Sequence, residues 1–234
     1  MDRYARNKAL SQLGEAGQQA IGAGRVLIVG AGALGSVCGL YLAGAGVGEI
    51  AVADFDTVDI SNLQRQVAYT EADAGLPKAE VLCRRMQSLN SEIKVTPLKC
   101  MVTARNLSQL LEKYDVVADC TDNAASKHFL ATAVPALGKV CVTAGIDGFT
   151  VQVTTTVPGA TTFADIFGDT APTEACSSLL PCSQAGVFGP AAGMAATAQA
   201  AEVLKAIAGV GTPLTNRLLR IDTLNMSATT LDLS

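Results

Sequence analysis

At 234 residues the chain lies between one and two average domains, and 49% hydrophobic against 16% charged residues, with positive mean hydropathy, gives it the apolar content to fill a core. That balance argues against a disordered chain, and a net charge of −4 without a basic run excludes nucleic acid as a main partner. Seven cysteines in a chain whose start, Met1-Asp2-Arg3-Tyr4-Ala5-Arg6, lacks the basic-then-apolar order of a signal peptide read as free thiols in a cytoplasmic protein, with Cys38, Cys83 and Cys141 as small core residues.

In chain order the pattern alternates strand and helix, the mark of a parallel sheet with helical crossovers. Strands are expected over 25–30, 49–54, 94–99, 115–120 and 139–144, and helices over 34–45, 78–89, 102–114 and 123–137. Beyond Gly145 the pattern changes. Residues 149–157 alternate as Val151, Val153, Thr155 and Val157, which predicts an antiparallel continuation of the sheet. Residues 161–182 show no period and read as a long surface loop, of a length that is usually functional or disordered, 186–208 as a helix, and 216–222 with 227–233 as a closing hairpin. The uncharged run 175–201 contains Pro181, Pro190 and several polar side chains, so its second half reads as a buried helix and not as a membrane span. No repeat or linker divides the chain. The expected organisation is one domain over 1–234: a helical arm at 1–24, a nucleotide-binding core at 25–145, and an antiparallel extension at 146–234.

The chemistry concentrates between Arg25 and Lys78. The apolar strand Val26-Leu27-Ile28-Val29 runs into Gly30-Ala31-Gly32-Ala33-Leu34-Gly35, a turn that lets backbone N–H groups approach a phosphate. Asp54, at the end of the next strand with Asp56 just beyond, is placed to hydrogen-bond a ribose. Tight strand-to-helix packing would explain the same glycines. A nicotinamide-dependent oxidoreductase would share the glycines and Asp54, but it leaves Ser61-Asn62-Leu63-Gln64-Arg65-Gln66 and Lys78 unexplained. A fixed cationic pair, Arg65 and Lys78, suits attack on a triphosphate. Asp122 lies in the turn after the fourth strand and is the candidate for chemistry, with Asp119 as a structural residue; a helix N-cap is the alternative for either. His128, the single histidine, reads as a surface residue, which leaves a hydrolase triad without support.

These residues resemble a family. Arg3-Tyr4-x-Arg6, Gly30-x-Gly32-x-Leu34-Gly35, Asp54-x-Asp56, Ser61-Asn62-Leu63-x-Arg65-Gln66, Gly75-x-x-Lys78, Asp119-Cys120-Thr121-Asp122-Asn123 and Cys182-x-x-Ala185-Gly186-Val187-x-Gly189-Pro190 occur in the order seen in the ThiF/MoeB/HesA adenylyltransferases, relatives of the ubiquitin-activating enzymes. The resemblance implies a Rossmann-like α/β fold, a homodimer, and ATP-dependent adenylation of the C-terminal glycine of a ubiquitin-like sulfur carrier ending in Gly-Gly. By the same resemblance, Gly30, Gly32 and Gly35 approach the phosphates and Asp54 and Asp56 lie on the nucleotide. Asn62, Arg65 and Lys78 grip the phosphates, Asp122 positions Mg²⁺ or the reacting groups, and Arg6 reaches ATP in the partner subunit. The 161–182 loop would cross over the carrier's tail. Cys182 matches the cysteine implicated in covalent chemistry with the activated carrier in sulfur-handling members.

One departure concerns metal. Many relatives hold a structural zinc with two Cys-x-x-Cys pairs. Here Thr161-Thr162-Phe163-Ala164-Asp165-Ile166-Phe167 and the tail 225–234 contain no cysteine, so no zinc is expected. The thiamine thiazole route is the leading pathway, with molybdopterin synthesis or another sulfur-transfer route as alternatives. With no rhodanese-like segment in these residues, any persulfide is expected from a separate sulfurtransferase. An inactive ATP-binding scaffold is the remaining reading from another class, and the presence of all the ATP-side residues weighs against it.

Overall fold

The computed structural model describes residues 2–160 and 186–233. The expected crossing loop 161–182, with Cys176 and Cys182, lies outside the described residues.

Strand β1 (Arg25–Val29) buries its last four residues, and they divide by alternation: Val26 and Ile28 join one core, Leu27 and Val29 the other. An apolar run covered on both faces is what a central parallel strand requires. It pairs in parallel with β2 (Glu49–Ala53) on one side and β4 (Val116–Asp119) on the other. The eight-stranded order is β3-β2-β1-β4-β5-β6-β7-β8, completed by β3 (Lys94–Leu98), β5 (Val140–Asp147), β6 (Thr150–Thr156), β7 (Arg217–Asp222) and β8 (Ser227–Asp232). Pairing is parallel from β3 through β5 and antiparallel from β5 through β8, as the change of pattern past Gly145 predicts.

Helices cover both faces of the parallel part. After the short α1 (Ala5–Lys8), helices α2 (Gly14–Ala23), α3 (Ala33–Ala45), α4 (Lys78–Leu89) and α7 (Gly189–Ala208) fill the first core with Ile21, Leu34, Leu42, Leu82, Met86 and Val203. On the opposite face, α5 (Leu107–Leu111) and α6 (Ala124–Ala136) contribute Leu107, Leu111, Leu130 and Val134. Helix α7 packs through alanines, with Ala191, Ala192, Ala195 and Ala196 all fully buried. Small side chains there allow close approach to α3.

Two expectations need correction. The helix foreseen over 102–114 shrinks to Leu107–Leu111, because the Asn106 side chain accepts from Thr103 N at 2.8 Å and donates to Met101 O at 2.9 Å, holding the preceding residues in a turn. His128 is half-buried on α6, not a surface residue. The cysteines at 38, 83 and 141 are buried free thiols, as read.

Strand order places the site. The chain runs outward from β1 through β2 to β3, then returns to pair β4 against β1, so the sequence reverses direction between β1 and β4. In open α/β sheets, ligands bind outside the carboxyl ends of strands at such a switch point. Gly35 makes the first turn of α3 possible, since a Cβ there would stand 1.8 Å from the Gly30 carbonyl oxygen. Gly35→Ala is therefore expected to lower unfolding free energy by about 3 kcal/mol. Gly22→Ala, in open space on α2, should raise it by roughly 0.5–1 kcal/mol through helix propensity. Urea denaturation of both variants checks the pair; an unaffected Gly35→Ala would refute the packing argument.

Candidate active site

The three motif glycines have different duties. Gly30 adopts φ +94°, and a Cβ on it would lie 2.7 Å from the Cys120 carbonyl oxygen, so backbone conformation and the neighbouring β4 turn both demand glycine. Gly35 is required for packing. Gly32, the N-cap of α3, is the one with room around it: a Cβ would meet only the Gln66 amide nitrogen, at 3.6 Å. The first N–H groups of α3 precede the helix's own hydrogen-bond ladder and carry the positive end of its dipole. Backbone donors and an open glycine thus meet at one place, as a phosphate cradle needs.

The turn is clamped through one residue. Asp54 Oδ2 accepts from Ala31 N at 2.6 Å, and the buried Tyr69 hydroxyl donates to Ala31 O at 2.6 Å. Asp54 Oδ1 accepts from Asp56 N at 2.7 Å. Both Asp54 oxygens therefore hold backbone, and each retains a lone pair for a ligand hydroxyl. Asp56 is exposed, and its Oδ2 lies 3.1 Å from Lys78 Nζ, while its carbonyl accepts from Lys78 N at 3.0 Å. Lys78, only 6% exposed at the start of α4, is a buried ammonium that needs such a counter-charge.

Asn62 and Arg65 stand on the segment between. Asp59 caps the short 3-10 turn Ile60–Asn62 by accepting from Ser61 N at 2.8 Å, and Arg65 N and Gln66 N both donate to Asn62 O. The Arg65 guanidinium makes only a loose contact, Nη1 to Ser61 O at 3.4 Å, which leaves most of its donors available. Gln66 is buried, with no partner for Oε1 among the described residues.

Across the switch point, Asp119 is fully buried; its Oδ1 accepts from Thr121 N at 3.1 Å and Thr121 Oγ1 at 2.7 Å, with Lys127 Nζ at 3.7 Å. Asp122 is exposed and makes no bond among the described residues. The cap of α6 is neither aspartate but Asn123, whose side chain accepts from Ser126 N at 2.9 Å. That division leaves Asp119 as a turn-holding residue and Asp122 as the available carboxylate.

Gly30, Gly32, Gly35, Asp54, Asp56, Asn62, Arg65, Lys78 and Asp122 thus gather along the carboxyl edge. Arg6 does not join them in its own chain. Its helix sits at the amino edge, where the Tyr4 ring lies against Gly46 and the Tyr4 hydroxyl donates to Glu92 at 3.0 Å. The sequence reading missed Tyr69 and Lys127, and it quoted Gln66 and Gly189 within motifs without giving either a role of its own. A Cβ on Gly189 would lie 2.7 Å from Gln64 O, so the start of α7 rests against the segment bearing Arg65. Among the described residues no cluster of three or more His, Cys, Asp or Glu could hold a metal, and no helix is long and apolar enough to cross a membrane.

Burial pushes the Asp54 carboxyl above its ordinary value of 3.8, and the N–H groups of Ala31 and Asp56 and the nearby Lys78 offset this only in part. A raised folded value means that the stability from the bound proton is full below the unfolded value and is lost as pH rises through the folded one. Asp54→Asn abolishes that titration. In urea denaturation between roughly pH 3 and pH 7, the wild type should lose stability relative to the variant as pH climbs through that window. A difference that stays flat with pH would contradict the assignment.

The ThiF family profile matches residues 4–234. The chain is 38% identical to the sulfur carrier protein adenylyltransferase of Thermus thermophilus, over 97% of this chain and 85% of that protein. It is also 38% identical to the sulfur carrier protein ThiS adenylyltransferase of Escherichia coli, over 90% and 83% of the two. Against the adenylyltransferase and sulfurtransferase MOCS3 of Aedes aegypti identity is 37%, and the match spans 94% of this chain but half of that longer protein. Among solved structures, E. coli MccB with ATP superposes with a TM-score of 0.85 at 23% identity, covering all of this chain and 72% of MccB, and so shares the fold. With its parallel core, its antiparallel extension and a family match over nearly its whole length, the chain belongs to the ThiF family.

Proposed function

We propose that this chain is an ATP-dependent adenylyltransferase that activates the C-terminal glycine of a ubiquitin-like sulfur carrier ending in Gly-Gly, in the thiazole branch of thiamine synthesis. The observation that carries the reading is the buried Lys78 ammonium, fixed by Asp56 beside the clamped glycine turn. A redox dinucleotide has no use for that cation; a carboxylate approaching a triphosphate does, because the two anions repel until positive charge is held between them.

In the reaction a carboxylate oxygen of the carrier's terminal glycine bonds to the α-phosphorus of ATP, the bond to the bridging oxygen breaks, and pyrophosphate leaves with that electron pair. The α3 N–H groups and Gly32 receive phosphate oxygens, Asp54 takes a ribose hydroxyl with a remaining lone pair, and Asn62, Arg65 and Lys78 counter the charge moving onto pyrophosphate. Lys78 would then exchange Asp56 for a phosphate or share itself between them. Mg²⁺ travels with ATP and supplies further counter-charge. Asp122 fits such an ion: it is an exposed carboxylate with no bond among the described residues, a hard oxygen donor of the kind Mg²⁺ takes alongside phosphates.

Arg6, remote from its own site, is assigned to the site of the partner in a homodimer. The working unit is an adenylation domain with an N-terminal arm, acting in the cytoplasm without structural zinc, with a sulfurtransferase as the source of the persulfide. Cys182 is retained as a thiol acceptor for the activated carrier. Similarity to the MOCS3 proteins, nearly equal to that with the ThiS adenylyltransferase, supports molybdopterin-type sulfur transfer as the alternative pathway. ATP–pyrophosphate exchange with a panel of Gly-Gly carriers separates the two. Exchange should require one carrier, and Lys78→Ala should lower it roughly a hundredfold or more. Tight ATP binding without exchange for any carrier would favour an inactive scaffold, and NAD binding without ATP binding would overturn the reading.

A further inference from the structure

Helix α7 carries a residue that reaches the site from behind. Gln199 is fully buried, and its amide is satisfied on every side: Nε2 donates to Asp119 O and to Val142 O, each at 2.8 Å, and Oε1 accepts from the Cys120 thiol at 3.2 Å. The two carbonyls belong to adjacent parallel strands, Asp119 at the carboxyl end of β4 and Val142 in the stretch of β5 that pairs with it, where Ala118 stands opposite Val142 and Asp119 opposite Thr143. One side chain therefore ties β4, β5 and the residue that opens the Cys120-Thr121-Asp122 turn to a single point on α7.

Cys120 matters to both halves of the crevice. Its carbonyl presses on Gly30, where a Cβ would lie 2.7 Å away, and Asp122 follows two residues later. Packing alone gives no reason for a glutamine here. The buried face of α7 is otherwise mostly small and apolar, and an apolar side chain of equal size would remove both amide donations to the strand carbonyls and the acceptor of the Cys120 thiol. The other buried polar residue on the second half of this helix, Glu202, accepts from Thr155 Oγ1 and Leu214 N and touches neither turn.

We propose that Gln199 is a positioning residue for the adenylation step: by fixing the end of β4 it sets where Asp122 stands relative to the glycine turn. What Asp122 does there rests on the adenylation reading, while the geometry does not. Asp54, Asn62, Arg65 and Lys78 stand on the carboxyl end of β2 and the chain that follows it, which Gln199 does not touch. Nucleotide affinity should consequently survive a change at Gln199 that chemistry does not.

The test compares Gln199→Met, the milder Gln199→Asn, which keeps an amide on a shorter arm, and Glu202→Gln in the full chain. It reads thermal stability, equilibrium ATP binding, single-turnover adenylation of the carrier, and hydrogen exchange of the Cys120 and Thr121 amides, which are bonded to Val29 O and Asp119 Oδ1. For Gln199→Met, exchange at those two amides should quicken about tenfold and adenylation should fall about tenfold or more, with the ATP Kd moving less than about threefold. Gln199→Asn should fall between, and it carries the comparison alone if Gln199→Met does not fold. Glu202→Gln should lower the Tm yet leave exchange at 120–121 and the rate unchanged. Unaltered exchange and rate in the Gln199 variants, or quickening spread over the whole chain in proportion to the loss of Tm, would overturn the proposal. If the wild type adenylates no carrier, the adenylation reading fails, and the exchange readout still decides whether Gln199 holds the turn.

Discussion

The peptide groups of Ala31 are gripped from two directions, the N–H by Asp54 and the C=O by Tyr69, and that grip sets the glycine turn against the end of β2. It welds the turn after β1 to the end of β2 and to the segment carrying Asn62 and Arg65. Burial makes ionised Asp54 costly, and two backbone donors offset part of the cost. Burial also raises the Tyr69 hydroxyl far above its ordinary range, which keeps it a neutral donor. The same economy of partners recurs at Lys78, whose ammonium is nearly out of solvent and is held by an exposed aspartate that a ligand can replace. Backbone bonds hold the turn in place, and Gly32 leaves space beside it.

The opposite wall depends on α7. Its alanine-rich face lets the helix lie close to α3 and the sheet, its first glycine rests against Gln64, and Gln199 bonds the end of β4 and the adjoining stretch of β5. A helix that touches the Arg65 segment at one end and the Asp122 turn from its middle relates the two sides of the switch-point crevice. Arg6 is the exception to this convergence: α1 lies at the amino edge, bound through Tyr4, on the far side of the sheet from the glycine turn.

Much of this was legible in the sequence for identifiable physical reasons. Parallel strands covered on both faces are short apolar runs with little ambiguity, so β1, β2 and β4 fell within a residue or two of expectation. The antiparallel part announced itself by alternation through Val151 and Val153. Where local side-chain bonds compete with helix, as Asn106 does with the turn before it, periodicity misled. Contacts that cross the sequence, such as Tyr69 with Ala31, Asp56 with Lys78 and Gln199 with Asp119, leave no pattern in a window of neighbouring residues and needed coordinates. The division of labour among Gly30, Gly32 and Gly35 was likewise undecidable from spacing, since packing and ligand approach both call for glycine.

In the proposed reaction this crevice joins a carrier's terminal carboxylate to the α-phosphate of ATP. Intact mass spectrometry of a Gly-Gly carrier after incubation with the chain, ATP and Mg²⁺ tests it most directly. The expected product is a carrier heavier by one adenylyl group, formed only when the terminal glycine is present and returned to its starting mass by added pyrophosphate. A carrier of unchanged mass in the presence of bound ATP, for every carrier of the type, would contradict it.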